Sequence, residues 1–506
     1  MRARHLAFLC LAGALPAQAE APLSAIDWLS QSVTTPVVMP APKPAEPAVS
    51  TSPLPGHVAV TPLDGPTADG AGLLTPRQTG LPRNLWGLGR ADEIAAKITA
   101  APANSLPALH GLMMTLLLAE ADPPADAGTG NALLLARVDK LLSMGALDQA
   151  QALLDVAGSD SVEPFRRSFD IALLQGTEDR ACKVIDASPH LAPTFPARVF
   201  CLARSGDWNA AALTLRTGVA LGHIPADEDA LLSRFLDPEL FEGEPPLPPP
   251  ERPNPLNWRM FEAIGEPLST NTLPLAFAHA ELRETAGWKA QLEAAERLSR
   301  AGVLEPNQLL GLYTERQAAA SGGVWDRVAA LHSLDAGIEA GNPGSALSAA
   351  WTQMVGAELE VPFARIYAEP LLNLELAGED AALAYRIGLL AGDYADAAKA
   401  HAPDDPTEVF LAGIARGRLT GVPTTDSLAR AIAAAFMRPV PSPEAQGLLA
   451  ENRVGEALML SIDRISRGVQ GDLRGVTEGL SILLSLRLDD QAKRVALQLM
   501  LLERRG

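Results

Sequence analysis

A short turn recurs along this 506-residue chain: a small residue, an apolar or aromatic residue two positions later, and Ala or Val three further on. The clearest copies are Gly206-Asp207-Trp208-Asn209-Ala210-Ala211 and Gly392-Asp393-Tyr394-Ala395-Asp396-Ala397. Looser copies run Gly145-Ala146-Leu147-Asp148-Gln149-Ala150 and Gly323-Val324-Trp325-Asp326-Arg327-Val328. Each residue type has a physical task. Glycine ends one helix because it tolerates positive φ. Asp207 or Asp393 caps the next helix. Trp208 or Tyr394 fills the groove between the two helices, and Ala211 or Ala397 lets them cross closely. A chain punctuated in this way is expected to be all-α, an irregular α-solenoid of antiparallel helix pairs.

The composition agrees. Aliphatic residues carry most of a 47% hydrophobic share and aromatics only 5%, which favours closely packed helices over sheets. Helical periodicity begins near Ala91, with Ile94 and Ile98 and then Leu109, Leu112, Met113, Leu116 and Leu117 recurring at three and four. A first helical array is expected over residues 91–242, with Asn104 and Thr177 as N-caps. Residues 243–255 hold a proline cluster that cannot be helical and reads as a hinge or a long loop. A second array is expected over 256–506, its last helix presenting Val495, Leu499 and Leu502 on one face.

The N-terminus reads as a secretory signal over residues 1–19. Arg2 and Arg4 give a positive start, Leu6 to Leu15 a short apolar core, and Ala17-Gln18-Ala19 a cleavage site. Residues 20–90 read as a disordered, proline-rich tether, because proline denies backbone donors and the polar filler offers no core. Two apolar islands interrupt it. Ile26, Trp28 and Leu29 form a candidate partner-binding turn, docking either on the helical array or on another protein. Leu81, Leu85 and Trp86 are expected to pack on the first helix pair as a cap.

The Gly-Asp-aromatic-x-x-Ala string resembles the middle of a tetratricopeptide repeat. The resemblance covers perhaps residues 91–506 and implies a curved superhelix whose concave face receives peptide segments. The copies are unevenly spaced, 61 residues from Gly145 to Gly206 and 69 from Gly323 to Gly392, whereas a regular array of this kind repeats near ~34. The tether resembles those of exported bacterial chains that carry an antifreeze-glycopeptide label. The regular Ala-Ala-Thr repeat implied by that label is absent.

Two cysteines follow the signal, Cys182 and Cys201. They fall on consecutive helices, equidistant from a turn near Leu191, so in an antiparallel hairpin they stand level and can form a disulfide in an oxidising compartment. There is no Cys-x-x-Cys for redox work and no His pair at ligand spacing for zinc.

The net charge of −19 becomes −21 once the signal is removed, with 39 basic against 60 acidic residues, which disfavours nucleic acid or anionic lipid as partners. His57, His110, His190, His223, His279, His332 and His401 are scattered singly. No Gly-x-Ser-x-Gly elbow, phosphate loop or dinucleotide fingerprint appears, so no cofactor is implied. Exported muramidases wrap a helical superhelix around a catalytic domain with a Glu-Ser pair. This chain has no such dipeptide, and Glu262 and Glu266 read as solvated or capping residues. The expectation is therefore a periplasmic, non-enzymatic scaffold or adaptor binding envelope proteins or peptide segments. The alternative is a peptidoglycan-related enzyme or enzyme regulator of similar shape.

Overall fold

The computed structural model describes residues 67–102, 105–128, 131–158, 161–403 and 405–502. The expected signal over residues 1–19, the Ile26-Trp28-Leu29 island and Asn104 lie outside the described residues. Within them the protein is all-helical, without a strand.

The first helices are α1 (Ala91–Ala100), α2 (Pro107–Leu118), α3 (Ala132–Ser143) and α4 (Leu147–Ala157). Next come α5 (Val162–Gln175), α6 (Glu178–Ala187), α7 (Phe195–Arg204), α8 (Trp208–Ala220), α9 (Ala226–Leu236) and α10 (Pro255–Ala263). A 3₁₀ segment, Leu275–Leu282, leads to α11 (Trp288–Arg300), α12 (Pro306–Thr314), α13 (Val324–Glu339) and α14 (Ser345–Gly356). The remainder is α15 (Glu360–Leu372), α16 (Gly378–Leu390), α17 (Tyr394–Ala400), α18 (Pro406–Arg416), α19 (Ser427–Met437), α20 (Pro443–Ala450), α21 (Val454–Val469), α22 (Leu473–Ser485) and α23 (Asp489–Leu501).

The period of the early helix pairs is more regular than the sequence motif suggests. The turns after α3, α5 and α7 each place a glycine in the left-handed region: Gly145 at φ 78°, Gly176 at 74° and Gly206 at 85°. Those positions are 31 and then 30 residues apart, so the 61-residue interval holds a copy that the motif misses. In that copy the apolar position is taken by Glu178, which is buried and accepts from Arg259 at 2.9 Å. Thr177 makes no capping bond there, contrary to expectation.

Helices α5–α10 share a separate core that includes Phe169, Phe200, Leu232, Met260 and Phe261. Because Met260 and Phe261 lie beyond the proline cluster, that stretch does not divide the hydrophobic core. It is a loop held between α9 and α10: Arg234 donates to the Pro245 carbonyl at 2.9 Å, and Leu247 donates its N–H to Glu266 at 2.8 Å.

Most of the remaining helices belong to one large core, flanked by small clusters around Leu298 and Ala445, and its two ends meet. Helix α2 packs on α23, and α1 and α2 pack on α21. The succession α2, α3, the 3₁₀ segment, α11, α15, α16 and α23 therefore closes on itself. The contacts at the seam are specific. Gln498 of α23 accepts the Ala108 N–H at 2.7 Å. Lys97 of α1 reaches Glu456 of α21 at 2.5 Å, and Arg453 grips the same carboxylate at 2.5 and 2.8 Å. Trp86 is buried against Gly455, where a Cβ would stand 2.4 Å from the indole.

Residues 67–90, placed in the tether by sequence, are thus packed structure. Leu81, Leu85 and Trp86 are buried, and they join the first helices to the last ones rather than capping the first pair alone. Arg137 of α3 anchors the start of this segment. Its fully buried guanidinium donates to the carbonyls of Leu117 and Ala71 at 2.7 Å and of Ala119 at 3.1 Å.

The indole face leaves no room for another atom, and overpacking of a filled site costs ~1–3 kcal/mol. Gly455→Ala is expected to lower stability by about that amount and to raise amide exchange together in residues 81–100 and 448–460. Hydrogen-exchange mass spectrometry checks it; unchanged protection in either segment would show that the seam does not act as a unit.

Candidate functional site: the cavity at the seam

A half-open cavity of about 420 Å³ lies at the seam of this closed succession. Six helices contribute to its wall, α12 through Pro306. Helix α2 presents Pro107, His110, Gly111 and Met114, which follow the spacing that puts residues on one helical face. Ser299 from α11, Val361 and Arg365 from α15, Leu389 from α16, and Gln498 and Arg494 from α23 complete it.

His110 is buried, as is Ser299, whose hydroxyl has no hydrogen-bond partner among the described residues. Burial, with the Lys140 charge adding to it, lowers the pKa of His110 to about 4, so the imidazole is neutral at physiological pH. Lys140 is buried too and drops to about 8, its ammonium donating to the Ala101 carbonyl. The other described histidines outside the cavity are mostly engaged: His279 with the Gly145 carbonyl at 2.6 Å, His332 with that of Tyr313 at 3.0 Å, and His401 with Glu408 at 2.8 Å.

The second sharp copy of the turn forms part of the cavity wall. Tyr394 is buried as expected, its hydroxyl donating to Asp490 at 2.7 Å with the Arg494 guanidinium 5.1 Å from the ring centre. Ala397 is fully buried and meets α16 at Gly388, where a Cβ would lie 2.7 Å away. Two expectations fail here. Gly392 does not adopt positive φ, and Asp393 makes no side-chain cap. The cause is Arg494, which takes up the Gly392 carbonyl at 2.9 Å, so the turn is organised around a guanidinium rather than a left-handed glycine.

The first copy behaves the other way. Gly206 is left-handed and Asp207 caps α8 through the Ala210 N–H at 3.0 Å, both as expected. Trp208, expected to plug the groove, is instead 52% exposed. Ala211 and Leu215 of the same helix are buried there. Cys182 and Cys201 are buried and paired between α6 and α7, with Cα atoms 5.0 Å apart.

Several buried carboxylates are held by cations. Glu296 accepts from Arg327 at 2.6 and 2.7 Å and from the Tyr313 hydroxyl at 2.6 Å. The half-buried Glu262 pairs with Arg283 at 2.6 Å and the half-buried Glu266 with Arg234 at 2.9 Å, so each is held in an ion pair rather than left in solvent. Asp170 of α5 differs: fully buried beside Arg166, Arg167 and Asp139, its carboxyl is pushed up to about 7 by burial. No cluster of three or more metal-ligating side chains is found among the described residues.

The chain matches no protein-family model, and no curated protein or solved structure matches it.

Two measurable consequences follow from these buried groups. As pH falls from 6.5 to 4 the unfolded chain protonates its histidine before native His110 does, a loss of about 3 kcal/mol from this residue. Asp170 has the opposite sign, since the native state keeps its proton between pH 4 and 7 and gains stability as pH falls. Denaturant midpoints at pH 4 and 6.5 should therefore show His110→Gln gaining on wild type on acidification and Asp170→Asn losing; parallel curves for all three proteins would contradict the assignment. Reduction of the Cys182–Cys201 pair is expected to cost about 3 kcal/mol from its short loop, read as a lower unfolding midpoint in dithiothreitol that Cys201→Ser reproduces without reductant.

Proposed function

We propose that this protein is a non-enzymatic binding scaffold that works after export, in a bacterial periplasm, by docking envelope proteins or peptide segments on its helical surface. The observation that carries this reading is the exposed Trp208 at the start of α8. It is 52% exposed, with Leu213 and Leu221 also exposed further along, on a helix packed against α7, which the cysteine pair ties to α6. Large aromatic side chains left in water on a firmly built element are the usual anchors of protein association.

Three further features support it. The paired cysteines suit an oxidising compartment. No helix among the described residues is long and apolar enough to cross a membrane. The buried carboxylates Glu178, Glu296 and Glu456 are spent on ion pairs that hold helices together. The test is crosslinking in cells followed by capture of the full chain, compared with Trp208→Ala. A specific envelope protein should be recovered with wild type and lost, by roughly tenfold or more, with the variant. Recovery of no partner, together with turnover of a peptidoglycan substrate by the purified protein, would overturn the proposal.

A further inference from the structure

The cavity at the seam has a polarity opposite to that of the whole molecule. The chain carries 60 acidic residues against 41 basic ones, yet no Asp or Glu lines this space, and its ionisable groups are His110, Arg365 and Arg494. Arg494 is committed to Asp490 at 2.7 Å and to the Gly392 carbonyl. Arg365 is not. Its side chain is 46% exposed and reaches only Glu305, at 3.5 Å, a carboxylate that is itself 74% exposed. Such a pair is weak in water and leaves the guanidinium fork open to a second anion.

The lining is otherwise apolar through Met114, Leu304, Val361 and Leu389, and it includes the buried Ser299 hydroxyl, which has no hydrogen-bond partner among the described residues. A buried polar group left without a partner costs free energy, so Ser299 is a position where a bound molecule or a water gains a hydrogen bond. Gly111 lines the same space from the middle of α2, and a Cβ built there would meet nothing within 4 Å. Alanine at that position would favour the helix, so the glycine keeps space open at a cost of ~1 kcal/mol.

We infer that this cavity is a binding site for a small amphipathic carboxylate, its apolar body among Met114, Leu304, Val361 and Leu389 and its charged end on Arg365. This goes beyond partner docking on α8, which lies on a different core, and the two stand or fall separately.

Titration of the full chain with sodium octanoate and with octanol, followed by calorimetry, tests the site. Octanoate should bind saturably at one site, and octanol roughly tenfold more weakly, since a charge-assisted contact is worth at least that ratio. Gly111→Leu should abolish binding of both while leaving the thermal midpoint unchanged or higher. Arg365→Gln, at the surface and therefore safe for folding, should reduce octanoate to the affinity of octanol. Saturable binding that survives Gly111→Leu, or no saturable binding by the wild-type protein, would overturn the cavity as the site. Equal affinities for octanoate and octanol in the wild-type protein would overturn its assignment to a carboxylate.

Discussion

The architecture depends on the joint between the two ends of the helical succession. Stacked helix pairs bury each inner face against a neighbour, but the first and last pairs of any open stack have a face with nothing to cover it. Here each covers the other. Trp86 lies on Gly455, Glu456 collects Lys97 and Arg453, and Gln498 receives the Ala108 N–H. The glycine is needed because only a residue without Cβ lets the indole rest directly on the helix backbone. The ion pair adds direction to this apolar contact, since a carboxylate buried that deeply requires both cations.

The cavity is a by-product of the same joint. Helices that meet end to end in a closed succession cannot all approach the centre, so a space remains where α2, α11, α12, α15, α16 and α23 face one another. Its character is set by what those helices contribute. The exposed Gly111 and Gly392 border its open side, and the absence of acids from the lining leaves Arg365 only the distant, exposed Glu305. The α5–α10 unit has its own core and its own covalent tie, joins the large core through Ile171, Leu174 and Trp258, and bears the exposed Trp208 of α8.

Much of the fold was legible in the sequence. The all-helical class, the cysteine pair, the capping role of Asp207 and the burial of Tyr394 follow from local residue chemistry. What local chemistry could not reveal was long-range. Glu178 occupies the apolar position of a turn, and only Arg259, 81 residues away, makes that burial possible. Trp208 and Tyr394 sit at equivalent positions of near-identical strings, yet one is exposed and the other buried, because Asp490 and Arg494 arrive from the last helix to receive the second. His110 reads as one scattered histidine among several. Its place in the cavity wall depends on α11, α15 and α23, none of which adjoins it in sequence. The proline cluster looked like a boundary, whereas Leu256 and Met260 beyond it complete the core before it.

The joint also imposes an order of events on the chain as it is made. Lys97 and Ala108 wait for partners 359 and 390 residues further along. Local helix hairpins form early, but Trp86 and the apolar edge of α2 stay uncovered until the final helices have emerged, so most of the synthesis passes with a sticky margin in water. Completion is therefore all or nothing: a ribosome that stalls before α21 releases a well-formed stack of hairpins with no means of sealing itself.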